Sequence, residues 1–223
     1  MEIPLVRDVL KESNARAEEN RSEFKEHRVF VINVMSSPGS GKTEILKRTI
    51  SDLSRQNIRC AVIEGDITST LDSERLTPLG IPVVQANTEP FGGDCHIGSH
   101  LVQGALKHLD LDSLDVLFIE NVGNLVCPAE FDLGEDKKVV VLSLPEGSDK
   151  PLKYPLMFRE CHACLANKTD LAPYLDVNLA EVGVNVNRIN ENIVFIPLSA
   201  KTGDGFDAWI EWILYGIRTK AAT

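Results

Sequence analysis

Two groups of residues in this 223-residue chain have the types and spacing to do chemistry. The first is a phosphate cradle. Ser36-Ser37-Pro38-Gly39-Ser40-Gly41-Lys42-Thr43 follows an apolar run, Val29 to Val34, and leads into Glu44-Ile45-Leu46-Lys47, which reads as a helix. A Gly-rich turn between strand and helix points backbone N–H groups and the positive end of the helix dipole at one anion. Gly39, Ser40 and Gly41 supply that turn. The Lys42 ammonium is placed to reach the β- and γ-phosphates, and the Thr43 hydroxyl to bind Mg²⁺. The usual pattern starts on glycine, where this chain has Ser36.

Further along, Asn167-Lys168-Thr169-Asp170 matches the guanine-reading Asn-Lys-x-Asp sequence. Guanine presents an N1–H and a 2-amino group side by side, and one carboxylate, Asp170, can accept from both. Adenine offers no such pair, and a site built to bond a group rejects a ligand lacking it by ~10⁴-fold or more. Ser199-Ala200-Lys201 matches the motif that holds the base from its other side. Glu120-x-x-Gly123 stands where GTPases usually carry Asp-x-x-Gly, so Glu120 is expected at Mg²⁺ and Gly123 at the γ-phosphate. Asp66 is assigned to Mg²⁺ or to positioning the attacking water, with a helix cap as its plain alternative. Phosphoryl transfer needs positioning and charge neutralisation more than covalent chemistry, so Lys42, Asp66 and Glu120 suffice for slow hydrolysis.

The second group is soft. Cys95-His96 precedes His100 by one helical turn, and Cys127 follows Glu120-x-x-Gly123 within a few residues. Thiolate with imidazole suits Zn²⁺ or Ni²⁺ rather than Mg²⁺. The competing reading is ordinary, with the cysteines as small buried hydrophobes. Cys161-His162-Ala163-Cys164 is read as part of a strand, where positions three apart point to opposite faces, so it is assigned to packing, as is Cys60.

The elements that must position these groups alternate. Apolar runs at 29–34, 59–64, 81–85, 115–120, 138–144 and 193–197, and a more polar one leading to Asn167, read as strands. Pro82 makes the third an edge or a strand start. Helices are expected at 5–27 (a weak stripe of Leu5, Val9, Ala17 and Phe24), over 95–109 behind an Asp94 cap, and over 205–218 with Phe206, Trp209, Ile213 and Ile217 on one stripe. A polar stretch from Thr68 to Glu74, with Asp72, reads as a loop and short helix, and another loop carries Lys150, Lys153 and Pro155. Strands alternating with helices give an α/β sandwich of three layers, a mostly parallel sheet with helices on both faces. The organisation expected is a helical segment, 1–27, and one nucleotide-binding domain, 28–223.

Net charge of −10 argues against nucleic acid as partner, because phosphate neutralisation needs a basic face. No apolar run approaches a membrane span and no signal-peptide layout is present, so a cytoplasmic protein is expected. An odd count of five cysteines then reads as thiols or metal ligands rather than a disulfide framework.

With these residues on the page, the chain resembles the HypB family, the nickel-incorporation GTPases of [NiFe]-hydrogenase maturation. The likeness runs from about Val29 to Leu214 and is most specific at Ser36 to Thr43, at Cys95-His96, at Phe118 to Pro128 and at Asp149-Lys150-Pro151-Leu152-Lys153-Tyr154-Pro155. A serine at position 36 is a mark of that family. The resemblance implies a P-loop GTPase of the SIMIBI type that dimerises around GTP. It also implies a Ni²⁺ or Zn²⁺ site at Cys95, His96 and Cys127, with His100 secondary, and Lys153 facing the partner subunit's nucleotide. Partners implied are a second maturation protein and the hydrogenase large subunit. The Cys-rich nickel motif and His-rich tract of some relatives are absent, which argues against nickel storage. The rival readings are a nickel GTPase serving urease, a metal chaperone whose nucleotide site is structural, and a small-molecule kinase that would use ATP and be indifferent to Asp170.

Overall fold

The computed structural model describes residues 6–66, 75–88 and 95–222, with side chains from residue 11 onward. Asp72 and the rest of 68–74, residues 91–94 with the cap expected at Asp94, Leu5, and the side chain of Val9 lie outside the described residues.

Seven strands form one sheet in the order β3-β2-β4-β1-β5-β6-β7. They are β1 (Phe30–Ser36), β2 (Cys60–Asp66), β3 (Val83–Asn87), β4 (Val116–Glu120), β5 (Lys137–Ser143), β6 (Ala163–Asn167) and β7 (Val194–Pro197). Every pairing is parallel, so the sheet is wholly rather than mostly parallel. β1 and β4 are largely apolar because both their faces are covered, as parallel sheets require, with Asn33 the polar exception inside β1. Pro82 immediately precedes β3, an edge strand, where a missing N–H costs least.

Side chains of β1 alternate between two cores, as the two-residue period of a strand dictates. Ile32 and Val34 pack with α2 (Lys42–Arg55) and the C-terminal helix, Phe206–Ala221, on one face. That helix buries Phe206, Trp209, Ile210 and Ile213, with Ile217 partly covered, and Trp209 Nε1 donates to Thr49 Oγ1 at 2.9 Å. On the other face Val29 and Val31 meet α1 (Val6–Glu26) and α3 (Ser99–Leu106), while Met35 meets the helices that follow β5. α1 is fastened by buried Ala17 and Phe24 and by Asn20, whose Nδ2 donates to the carbonyls of Ser99 and Leu133. Among the described residues no helix is long and apolar enough to cross a membrane.

Three local expectations are corrected. Residues 95–98 are not helical: α3 starts only at Ser99, because Gly98 is extended and Ile97 is held elsewhere, as described below. His96 and His100 therefore do not share a helix face. The stretch 150–160 is not a loop but two short helices, α5 (Lys150–Lys153) and α6 (Pro155–Glu160), each with proline in its first turn, where no N–H is needed. The strand before Asn167 consequently begins at Ala163, and Cys161 caps the preceding helix. The chain continues through α4 (Cys127–Glu130) after β4, α7 (Leu179–Ile189) after β6, and ends in α8, the C-terminal helix.

Candidate functional site

The register pairs Val34 with Glu120 and Glu64 with Glu120. It therefore brings Ser36, Asp66, Glu120 and Asn167 to one carboxyl edge, where open α/β sheets collect ligands. Gly41 caps α2 with φ +96°, and a Cβ there would stand 2.5 Å from Asn167 Nδ2. Both the left-handed backbone and the close approach demand glycine. Ser36, fully buried, accepts from Lys42 Nζ at 3.0 Å and donates to the Ser37 carbonyl at 2.7 Å. The residue that departs from the usual pattern thus orients the lysine. Ser37 Oγ donates to Glu146, whose other oxygen accepts from the Ser143 N–H at 2.9 Å and Oγ at 2.8 Å. Sequence reasoning passed over Glu146; its signal was a serine-to-glutamate capping box.

The residues expected to read a base are gathered around Asn167. Its Nδ2 donates to the Ser40 carbonyl at 2.8 Å and its Oδ1 accepts the Ala200 N–H at 3.0 Å. The side chain is 1% exposed, so both bonds are made out of water, where leaving either partner unmade costs most. Lys168 takes φ +64°, rare outside glycine, and its Nζ reaches the Gly39 carbonyl at 2.7 Å. Ser199 Oγ donates to Asp170 Oδ1 at 2.6 Å, which aims the carboxylate, while Lys201 is exposed at the rim.

Thr43 Oγ1 donates to Glu120 Oε1 at 2.8 Å, and Glu120 is 2% exposed. A cavity of about 580 Å³ is lined by the phosphate loop, Asp66, Arg75, Glu120, Gly123 and Lys168. A hydroxyl and two carboxylates are hard oxygen donors of the kind Mg²⁺ takes beside phosphates, so the donor set fits. Gly123 lies flat on the loop, for a Cβ there would stand 3.2 Å from Pro38 backbone. Arg75 was not foreseen, since a lone arginine after a polar stretch carries no signal. A larger hollow, about 690 Å³, opens at the opposite sheet edge beside Phe30, Arg159 and Trp212 and shares no lining residue with the first.

Cys95 and Cys127 meet. The structure joins them in a disulfide with Cα atoms 6.3 Å apart, where thiols or metal ligands rather than a disulfide were expected. A sequence separation of 32 hid the contact, which joins the segments following β3 and β4, the two neighbours of β2 in the sheet. Both positions are half-buried, whereas Cys60, Cys161 and Cys164 are core residues whose burial raises their thiol pKa, that of Cys60 to about 12. His96 stacks on Phe131, ring centroids 3.8 Å apart. His100 sits on the first turn of α3 against Gly98. Among the described residues no three His, Cys, Asp or Glu side chains converge in metal-holding geometry. Lys153 pairs with Asp149 at 2.6 Å, which raises its pKa and lowers that of Asp149, and it projects outward rather than into the phosphate cavity.

Residues 30–197 match the model of the CobW/HypB/UreG nucleotide-binding domain. The hydrogenase maturation factor HypB of Escherichia coli K12 is 46% identical over 206 residues, 92% of this chain and 70% of that protein. Two solved structures superpose closely: HypB from Helicobacter pylori in complex with nickel (TM-score 0.87, 32% identity, 93% of this chain and 96% of that one) and HypB from Archaeoglobus fulgidus (TM-score 0.86, 35% identity, 93% and 100%). By the phosphate loop on its parallel sheet, and by these likenesses over nearly its whole length, the chain belongs to the HypB hydrogenase maturation factors of the CobW/HypB/UreG family.

Proposed function

We propose that this chain is a GTP-hydrolysing metallochaperone that inserts nickel during [NiFe]-hydrogenase maturation. The observation that carries the reading is one of placement: Gly123 lines the phosphate-loop cavity, and the same segment runs on into Cys127 at the start of α4, paired there with Cys95. GTP is the nucleotide, read by Asp170 with Ser199 behind it and clasped by Asn167, Lys168, Ala200 and Lys201. Lys42, the loop amides and the dipole of α2 neutralise phosphate charge, and Asp66 positions water for in-line attack. Mg²⁺, held by Thr43 with Glu120 and Asp66, would add charge neutralisation at the same phosphates.

Nickel is the cargo. In the reduced protein Cys95 and Cys127 offer two adjacent soft thiolates, a donor pair that takes Ni²⁺ and also Zn²⁺, with His96 and His100 as the further candidate ligands. GTP favours a homodimer in which the outward Lys153 serves the partner's nucleotide, and hydrolysis releases metal toward a second maturation protein and the hydrogenase large subunit, in the cytoplasm. The test is a Ni²⁺ titration of reduced protein loaded with GDP and with a non-hydrolysable GTP analogue. Affinities differing by tenfold or more support the coupling, and equal affinity and stoichiometry refute it. GTP turnover that survives Lys42→Ala would refute the assigned site.

A further inference from the structure

Asn33 and Asn121 take no part in the chemistry described above, yet both are buried polar side chains in the middle of the molecule. Asn33 is 0% and Asn121 2% exposed. Asn121 directly follows Glu120, and its Oδ1 accepts two backbone N–H groups, from Ile97 and from Val122, each at 3.0 Å. Because both donors are backbone, only the oxygen can face them, and the usual ambiguity of an amide's two ends is removed. Nδ2 must then point the other way, where it donates to Asn33 Oδ1 at 3.1 Å. Asn33 is fixed in turn, its Nδ2 donating to Glu135 Oε1 at 3.0 Å. Glu135 Oε2 accepts from the Leu133 N–H at 2.7 Å, and Lys138 Nζ stands 4.0 Å from its carboxylate. Each amide has one orientation, set by its neighbour.

Ile97 is the other half of the arrangement. It lies two residues after Cys95 and is fully buried. Its Cδ1 fills the space above Gly65, where any Cβ would overlap it and would also come within 3.2 Å of the Glu120 carbonyl. The backbone of Ile97 is thus tied to the residue after Glu120, and its side chain to the residue before Asp66. Any shift of those two strand ends on exchanging GDP for GTP is handed to the segment bearing Cys95 and His96.

We infer that Asn121, oriented by Asn33, is the positioning residue through which the phosphate-sensing loop sets the geometry of the Cys95–Cys127 pair. The inference rests on the proposed nucleotide control of nickel binding and names the contact that carries it. A buried amide gripping two backbone groups is a strut between discrete elements, the physical requirement for coupling two sites. Without it, Ile97 and Val122 move separately, and each ligand loses its differential effect on the other.

The experiment measures the ratio of Ni²⁺ affinities in the GDP and GTP-analogue states, using reduced protein and thiolate-to-nickel charge-transfer absorption. Wild type is expected to show a ratio of about tenfold or more. Asn121→Ala should bring it within about twofold while GDP affinity changes less than about threefold. Asn121→Asp combined with Glu135→Gln keeps an oxygen facing Ile97 and Val122. It also lets the Asn33 amide turn over between the two, its nitrogen to the new carboxylate and its oxygen to the new amide. This pair should retain most of the ratio, a rescue that a general packing defect would not show. Should Asn121→Ala not fold, Gly65→Ala displaces Ile97 from the same contact and should collapse the ratio equally. A folded Asn121→Ala or Gly65→Ala protein that keeps the wild-type ratio overturns the inference and leaves nucleotide control standing. A wild-type ratio of one overturns both.

Discussion

Asp170→Asn tests the base-reading half of the site most sharply. In the structure Ser199 Oγ accepts from the Thr202 N–H at 3.2 Å, so its own proton is directed at Asp170 Oδ1, 2.6 Å away. An asparagine in this place must keep its oxygen toward Ser199, where it still accepts guanine N1–H. Its NH₂ then replaces the oxygen that faces the 2-amino group. One charge-assisted hydrogen bond, about 1.5–3 kcal/mol, is lost, and a donor is left against a donor at a further cost of about 1–3 kcal/mol. The sum, about 3–6 kcal/mol, corresponds to ~10²- to 10⁴-fold weaker GDP binding. Xanthine carries oxygen where guanine carries the amino group, so the same variant should bind xanthosine diphosphate better than wild type does. Competition against a fluorescent GDP analogue reads both, with a thermal melt confirming the fold. If Asp170→Asn bound GDP within about threefold of wild type and gained nothing for xanthosine diphosphate, Asp170 would not be reading the base.

Gly39→Ala and Gly41→Ala separate backbone strain from contact: both have positive φ, but nothing lies within 4 Å of a Cβ at Gly39, whereas one at Gly41 meets Asn167. Calorimetric GTP-analogue affinity should therefore fall more at position 41 than at 39, by about tenfold or more, since displacing Asn167 undoes two buried bonds worth about 1 kcal/mol each. After reduction, iodoacetamide at pH 8 should label Cys95 and Cys127 and spare Cys60, Cys161 and Cys164, whose burial keeps them as thiols; peptide mapping that found the latter three labelled first would contradict the packing. Burial, reinforced by the Lys137 charge, lowers the pKa of His162, whose Nδ1 accepts the Lys138 N–H at 3.1 Å. A base whose folded pKa lies below its unfolded value of about 6.5 gives stability that is present above pH 6.5 and lost as pH falls through the folded pKa. Urea midpoints should thus drop more steeply between pH 7 and pH 5 in wild type than in His162→Gln.

The strand periods and the phosphate loop were legible, and the segments 167–170 and 199–201 could be singled out, because each is written in contiguous residues. What sequence could not display was everything set by contact across elements. The helix expected over 95–109 was cut short because Ile97 is held to Asn121 and packed on Gly65, a tertiary override of a respectable local pattern. The loop expected at 150–160 became two helices because prolines at the first turn start helices as readily as they end them. The pairing of Cys95 with Cys127 depends on β2 lying between β3 and β4, and strand order is not written in any one strand.

Asn33 shows where the signal was present and went unread. It stands inside the apolar run Val29 to Val34. A strand flanked by two others and covered on both faces leaves no water for a carboxamide, and burying one without partners costs several times what a buried hydrogen bond contributes. An asparagine in that place therefore implies a paired network before any coordinates exist. The same reasoning reaches Asn121, the polar residue just after β4, and Glu135, both buried and both linked to Asn33. Replacing such a buried network by apolar residues of the same shape is often neutral or stabilising, so stability alone does not account for it. What it supplies is a fixed orientation for each amide, and the end of that network lies between the phosphate sensor and the cysteines.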